Sequence, residues 1–234
     1  MVKRIALSGI TGKMGRFLLD GLKSHPDFEV VVGMSKEEDL SGIIPIYSNI
    51  KTMYEKQDFD IFIDFTIAEF SVCACAFMLE KGIPIIVGTT GFNQAELDLL
   101  KEKAHASGTG GIIAPNFALG IVLLHKCLGI ATQYFKEFAI YEYHHFTKHD
   151  RPSGTANYLA EAIGNASQVN ITDIHGFRLP GMLATHTVVM SDETQKVELV
   201  HQSNNRHSFE EGILLAIDRV LDLEGLVYGL ENVL

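Results

Sequence analysis

The stretch KRIALSGITGKMGRFLLDGL, Lys3 to Leu22, decides the fold. Its first part, Lys3 to Gly9, reads as a short strand that ends in glycine. From Lys13 onward apolar residues recur at helical spacing until His25-Pro26 supplies a stop. Between the two lies Gly9-Ile10-Thr11-Gly12-Lys13-Met14-Gly15, a GxxGxxG turn. Glycines at a strand–helix turn let the backbone approach a pyrophosphate, and the helix N-terminus adds N–H donors and a positive dipole end. A glycine-rich turn can also serve packing alone. In the first strand–helix unit of an alternating chain, it predicts a dinucleotide site.

The alternation continues outward from that turn. FEVVVGMS, DIFIDFT, IPIIVGTTG and GGIIAPNF read as four more strands, each buried by its run of branched residues. AEFSVCACAFMLEKG and NQAELDLLKEKAHASG read as helices, the first closed by Gly82 and the second capped by Asn93. Strands alternating with helices predict an α/β fold with a parallel sheet covered on both faces. Past Asn116 the pattern changes to a long apolar helix, ALGIVLLHKCLGIATQYF, then an alternating strand, EFAIYEYHH, and a helix, TANYLAEAIGNAS. HTVVMS and QKVELVHQS read as antiparallel strands joined by DETQ, and SFEEGILLAIDRVLDLEGLVYGL returns to helical periodicity. The expected division is 1–116 with 205–234, and 117–204, the last helix returning to the first domain.

The second strand speaks to the cofactor. An NAD-binding unit ends that strand in Asp or Glu, which binds the ribose hydroxyls. Here Met34-Ser35-Lys36 stand there. Ser35 repels no phosphate and Lys36 attracts one, so NADPH is favoured, with NADH possible. Glu37 and Glu38 follow closely, and a shift of two residues would reverse the argument; Lys36 as a solvated loop charge is the plain alternative. Three further strand ends, Phe65-Thr66, Gly88-Thr89-Thr90-Gly91 and Ala114-Pro115-Asn116-Phe117, carry small or hydroxylated residues at the sheet edge where ligands sit.

Bulk composition narrows the class. The chain has 234 residues, 47% hydrophobic and 21% charged, with a formal charge of −10 and pI near 5.4. Such acidity argues against nucleic-acid and anionic-membrane surfaces. No apolar run is long enough for a membrane span, and MVKRIALSGI is too short for a signal peptide, so a cytoplasmic protein is expected. Cys73, Cys75 and Cys127 are expected as buried, reduced thiols. Asn165-Ala-Ser and Asn170-Ile-Thr match a glycosylation pattern that carries no meaning without a secretory route.

YEYHHFTKHDRPSGTAN, Tyr141 to Asn157, concentrates proton carriers before a helix start. His145 and His149 would share a helix face as metal ligands, but the segment reads as strand and loop, and no metal is expected. Anion binding fits better. Ser153-Gly154-Thr155 offers hydroxyls and N–H groups to a carboxylate, Lys148 adds a charge, and His144 and His145 can carry protons near neutral pH. A histidine pair that only hydrogen-bonds the loop is the alternative.

HHFTKHDRPSGTA resembles the HHxxKxDxPSGTA signature of the dihydrodipicolinate reductases, enzymes of lysine biosynthesis. GITGKMG, IDFT, VGTTGF and APNFALGI are similar to that family's other signatures, in the same order. The resemblance implies a Rossmann-like parallel sheet with a second α+β domain for substrate binding and oligomerisation, and a homotetramer. It implies reduction of a cyclic dicarboxylate to tetrahydrodipicolinate with NAD(P)H. By motif position His144 becomes the proton donor and Lys148 its partner. His145, Gly154 and Thr155 would hold the substrate, and Thr90 would complete the pocket. Gly9, Ile10, Thr11, Gly12, Lys13, Met14, Gly88, Thr89, Thr90, Ala114, Pro115, Asn116 and Phe117 would line the cofactor. The chain departs from the family at RLPGMLATH, Arg178 to His186, whose glycines are displaced, and at Ile67, where many members carry a polar or basic residue.

Overall fold

The computed structural model describes residues 2–23, 25–38, 42, 44–164 and 170–234. Backbone packing divides the chain into Met1–Ala114 with Ile213–Leu234, and Pro115–Gly212.

The first unit runs β1 (Lys3–Ser8), α1 (Lys13–Leu22), β2 (Phe28–Met34), β3 (Ile46–Tyr47), α2 (Ile50–Lys56), β4 (Ile61–Asp64), α3 (Ala68–Glu80), β5 (Ile85–Val87), α4 (Gln94–Ser107) and β6 (Gly111–Ile113). Its seven strands, with β11 (Leu226–Tyr228) contributed from the chain's end, stand in the order β11-β6-β5-β4-β1-β2-β3 and all pair in parallel. Parallel strands with both faces covered lose the polar alternation of half-exposed ones, and all of Ile61–Asp64 on β4 is fully buried. The chain winds outward from β1 in both directions, with β2 on one side and β4 on the other. That reversal is the switch point where open α/β sheets place ligands, at the carboxyl ends of the strands. Asn93 forms a full capping box with Glu96 at the start of α4, as expected.

The second unit contains α5 (Leu119–Ala131), β7 (Glu137–His144), α6 (Gly154–Gly164), β8 (Asn170–Arg178), β9 (Ala184–Ser191) and β10 (Lys196–Ser203). Its sheet has the order β10-β9-β7-β8; β7 and β8 run parallel, while β9 pairs antiparallel with both β7 and β10. Leu124 and Leu128 of α5 and Leu159 and Ile163 of α6 pack on Phe138, Ile140, Val188 and Met190 of the sheet. That face of β7 also carries Glu142 and His144, both buried, because side chains alternate along a strand. The opposite face stacks Tyr141 on His175 and Tyr143 on Phe177.

Several expectations need correction. The last stretch is not helical throughout: α7 (Glu210–Val220) gives way to β11 (Leu226–Tyr228), which pairs with β6. Strands β3 and β8 and helix α2 were not anticipated. Two-residue β3 is too short for a periodic signal, and β8 carries polar residues throughout its length. Residues 205–212 were expected with the first domain but group with the second, where Phe209 packs on Ala118, Ile121 and Tyr158. Pro115 and Asn116 likewise fall in the second unit. Cys75 is buried, but Cys73 is exposed and Cys127 only partly buried. Asn165-Ala-Ser, with the end of the helix expected through it, lies outside the described residues.

Candidate functional site

In the first unit the site is built from missing side chains. Gly9 has φ +78°, a left-handed conformation that favours glycine, and a Cβ there would collide with the Phe65 carbonyl oxygen. A Cβ on Gly15 would collide with the Gly9 carbonyl, so the turn closes tightly on α1. Helix α1 starts at Gly12 with no side-chain cap and no acidic residue in its first turn, which leaves its N–H groups and positive end available. Beside it lies a cavity of about 460 Å³ lined by Gly9, Thr11, Gly12, Ser35, Lys36, Phe65, Thr66, Ile67 and neighbours. Ser8, another lining residue, has a buried hydroxyl with no partner among the described residues. A glycine cradle, an uncapped helix start and an orphan hydroxyl fit a dinucleotide phosphate.

Thr66, at the edge of that cavity, is held by a carboxylate to which the sequence assigns no role. Asp64, fully buried at the end of β4, accepts the Thr89 hydroxyl at 2.7 Å and the Thr66 hydroxyl at 2.9 Å. Thr89 Oγ1 in turn accepts the Thr66 N–H at 2.8 Å. Two loops at the carboxyl ends of β4 and β5 are thereby tied together. Gly88 leaves room for the Phe65 ring, which a Cβ would strike. Ser35 Oγ lies 3.0 Å from Thr11 Oγ1, so the second strand end meets the glycine turn. Glu38 accepts the Ser48 hydroxyl at 2.9 Å and the Ser48 N–H at 3.3 Å. Strand β2 ends at Met34, so Ser35 and Lys36 follow it directly, and Glu38 reaches the cavity lining through Ser48.

In the second unit the site is built from charges. Strand β7 brings Glu142 and His144 to the core face, and register places His186 of β9 opposite Glu142 and Arg178 of β8 opposite His144. Glu142 accepts Arg178 Nη2 at 2.9 Å on Oε1, and the Ser153 N–H at 3.1 and 3.2 Å on its two oxygens. Burial pushes this carboxyl up, but the hydrogen bonds from Ser153 and Arg178, with the charges around it, hold it below its ordinary value. His144 Nδ1 lies 3.6 Å and His186 Nε2 3.7 Å from Glu142 Oε2, and the two rings meet edge to face at 5.1 Å. Burial pulls His144 down to about 4; Glu142 opposes this while Lys148 and Arg178 reinforce it. Burial also pulls His186 down to about 3. Both imidazoles are neutral at pH 7.

Beyond β7 the loop is stitched to β8. Lys148 Nζ pairs with Asp150 at 2.8 Å, the Lys148 carbonyl accepts Arg178 Nε at 3.2 Å, and Arg178 Nη2 donates to the Asp150 carbonyl. His145 Nδ1 lies 2.7 Å from Thr147 Oγ1, and His149 is exposed. These two histidines are not drawn into one cluster. Among the described residues the group with metal-ligand spacing is Glu142, His144 and His186, whose carboxylate already holds Arg178. Ser153 is less available than its motif suggests: its hydroxyl caps α6 by accepting the Ala156 N–H at 3.1 Å and meets His186 Nε2 at 3.3 Å. Gly154 is exposed with open space around it, and Thr155 Oγ1 accepts Asn116 Nδ2 at 2.9 Å.

The expected residues therefore divide. Gly9, Thr11, Gly12, Ser35, Lys36, Phe65 and Thr66 line one cavity; Gly88 and Thr89 abut Phe65 and Thr66. Lys13 and Met14 open α1, and Ala114 is buried just past β6. Ile10 turns its side chain inward against Gly33, leaving only backbone for a ligand. Thr90 is exposed in the first unit, whereas Pro115, Asn116 and Phe117 belong to the second with His144, His145, Lys148, Gly154 and Thr155. Glu142, Arg178 and His186 were missed as site residues. Their signal was an acidic residue on the apolar face of an alternating strand, two positions before His144.

Comparison with known proteins covers the whole chain. Residues 3–117 match the family description "Dihydrodipicolinate reductase, N-terminus" and residues 120–234 "Dihydrodipicolinate reductase, C-terminus". The 4-hydroxy-tetrahydrodipicolinate reductase of Bacillus licheniformis is 34% identical, covering 99% of this chain and 97% of that protein. That of Bacillus subtilis is 33% identical with the same coverage. A dipicolinate-bound dihydrodipicolinate reductase from Paenisporosarcina sp. TG-14 superposes with a TM-score of 0.87 at 30% identity, over 100% of both chains. A myo-inositol dehydrogenase from Corynebacterium glutamicum, 12% identical with a TM-score of 0.67 over 96% of this chain and 90% of its own, shares the fold alone.

Proposed function

The chain belongs to the dihydrodipicolinate reductase family, and from that premise we propose that it reduces 4-hydroxy-tetrahydrodipicolinate to tetrahydrodipicolinate with NADPH, or NADH as the alternative reductant. One hydride and one proton add to the ring, and one water leaves from its hydroxyl-bearing carbon. The bound nicotinamide supplies the hydride; this chain's residues place the partners and manage charge.

The observation that carries the reading is His144, neutral and buried, flanked by the Lys148 and Arg178 cations beside the start of α6. A substrate with two carboxylates finds the N–H groups of Gly154 and Thr155, the Thr155 hydroxyl, and His145. Its negative charge raises the pKa of His144, so the ring acquires a proton only when there is substrate to receive it. Lys148 is its partner in the same segment. In the first unit the α1 N-terminus takes the pyrophosphate, while Ser35 and Lys36 accept a 2′-phosphate. By motif position Thr90 is assigned to the substrate. The exposed face of the second sheet, with Tyr141, Tyr143, Phe177 and Val200, supports a homotetramer. A cytoplasmic location follows the pathway. No helix among the described residues is long and apolar enough to cross a membrane.

The test generates the cyclic hydroxylated dicarboxylate in situ and follows loss of reduced-nicotinamide absorbance with NADPH and NADH separately. Substrate-dependent oxidation is expected, faster with NADPH. No oxidation with NADPH still bound would sink the reading and point to another imine or to a binding protein.

A further inference from the structure

Four residues stand at one level across the second sheet: Gly176 on β8, Glu142 on β7, His186 on β9 and His201 on β10 are register partners in turn. The centre of this row is the fully buried Glu142 carboxylate. Oε1 is held by Arg178 Nη2 at 2.9 Å and the Ser153 N–H at 3.1 Å, which fixes the carboxylate plane. Oε2 takes only the longer bond from Ser153, at 3.2 Å, and keeps acceptor capacity. His144 Nδ1, 3.6 Å away, has no hydrogen-bond partner among the described residues. A movement of about 0.5 Å would bring it into bonding range, and catalytic hydrogen bonds commonly tighten when substrate binds.

His186 Nε2 lies 3.7 Å from the same oxygen, and Ser153 can withdraw it from competition. Ser153 Oγ accepts the Ala156 N–H and so can turn its own proton toward His186 Nε2, 3.3 Å away. His186 Nε2 then acts as an acceptor and has no proton to offer Glu142. Gly176 completes the arrangement: a Cβ there would sit 2.8 Å from Glu142 Oε1 and 3.3 Å from Arg178 Nη1. The carboxylate–guanidinium pair occupies the space a side chain on β8 would need.

We propose that Glu142 is a positioning residue for proton transfer: its Oε2 holds His144 in the tautomer protonated on Nδ1, leaving Nε2 to exchange the proton with substrate. The same carboxylate grips the first residue before α6 through the Ser153 N–H, so the acid–base ring and the substrate-anchoring helix start share one fixed point. This rests on the reading of His144 as the proton-handling group.

The experiment is a long-range proton–nitrogen correlation spectrum of the full chain labelled in its histidines, at pH 7 without substrate, with His144 assigned through His144→Gln. Wild-type His144 is expected protonated on Nδ1 and bare on Nε2. Glu142→Gln, which can present an amide donor where an acceptor stood, should move the ring toward the other tautomer. It should also lower kcat by about 10²-fold, the low end of what a positioned acid–base group contributes, with substrate KM within about 3-fold. Gly176→Ala pushes the carboxylate aside without removing an ionisable group and should change the spectrum and kcat in the same sense, less strongly. A wild-type His144 protonated on Nε2 would overturn the proposal, whatever Glu142→Gln and Gly176→Ala do. So would an unchanged tautomer and kcat in both variants. Absence of turnover in the wild type would instead overturn the proposed function, because the tautomer is read without substrate.

Discussion

The two units solve opposite problems. The cradle at Gly9–Gly15 works by what is absent: no Cβ, no side-chain cap, no acidic residue in the first helical turn. The cluster around Glu142 works by what is present, a carboxylate, two imidazoles and a guanidinium gathered beside an apolar core. The first arrangement needs no desolvation of charge and depends on backbone shape. The second holds a charged pair out of water, which is favourable only because Arg178 and the Ser153 N–H both donate to Glu142. A site of backbone shape is damaged by adding atoms; a site of buried charge is damaged by removing one partner or by changing pH.

The sharpest separation comes from the chemistry. His144→Gln and Lys148→Ala should each lower kcat by roughly 10²- to 10⁴-fold, while NADPH affinity, read by fluorescence titration, stays within about 2-fold. Equal loss of NADPH affinity in both would break the division between the two sites.

Next in size is the response to acid. An unfolded histidine titrates near 6.5, whereas burial holds His144 at about 4 and His186 at about 3 in the folded protein. As pH falls below about 6.5 the unfolded chain takes up these protons first. The stability is fully present above that pH and declines toward 4, by on the order of 2 kcal/mol per histidine between pH 7 and 5. The charged and titratable groups facing the pair are Glu142, Lys148, Asp150, Arg178 and His201. Glu142, itself held low, adds a further loss only at lower pH. Urea midpoints at pH 7.5, 6 and 5 should fall for the wild type and fall less for His186→Gln. A flat wild-type profile would mean these rings stay hydrated.

The glycine cradle should respond to bulk and not to pH. Gly15→Ala drives a methyl group into the Gly9 carbonyl and should cost about 1–3 kcal/mol by thermal unfolding, with weakened NADPH binding. Turnover at saturating cofactor should change far less than in the histidine variants. Smallest is the choice of cofactor: Lys36→Glu should shift the NADPH to NADH preference about 10-fold toward NADH, near 1.4 kcal/mol, with little change in Tm. An unchanged ratio would leave Lys36 a solvated charge.

Legibility followed the same divide. The glycine turn, the run of buried parallel strands and the HHFTKHDRPSGTA signature are local: neighbours in the chain carry the message. Hence the glycine turn and most of the sheet could be read, even though β3, β8 and β11 were missed as short or polar strands. Asp64 was quoted inside DIFIDFT without a role, because only a neighbouring strand end supplies the Thr89 hydroxyl that occupies it. Ile10 was assigned to the cofactor by its place in the motif, and only packing against Gly33 shows its side chain turned away.

By itself the sequence determined the elements whose causes are periodic or conformational: alternating strands and helices, a turn open only to glycine, and a histidine–lysine segment before a helix start. Tertiary structure decided which charges meet. Glu142, His144, Arg178 and His186 come from three strands and depend on register, and a one-residue slip of β8 or β9 would turn Arg178 or His186 to the opposite face. Burial then set the protonation of that cluster, since the free energy of a charge depends on the medium around it, and that medium is made by residues far apart in the chain.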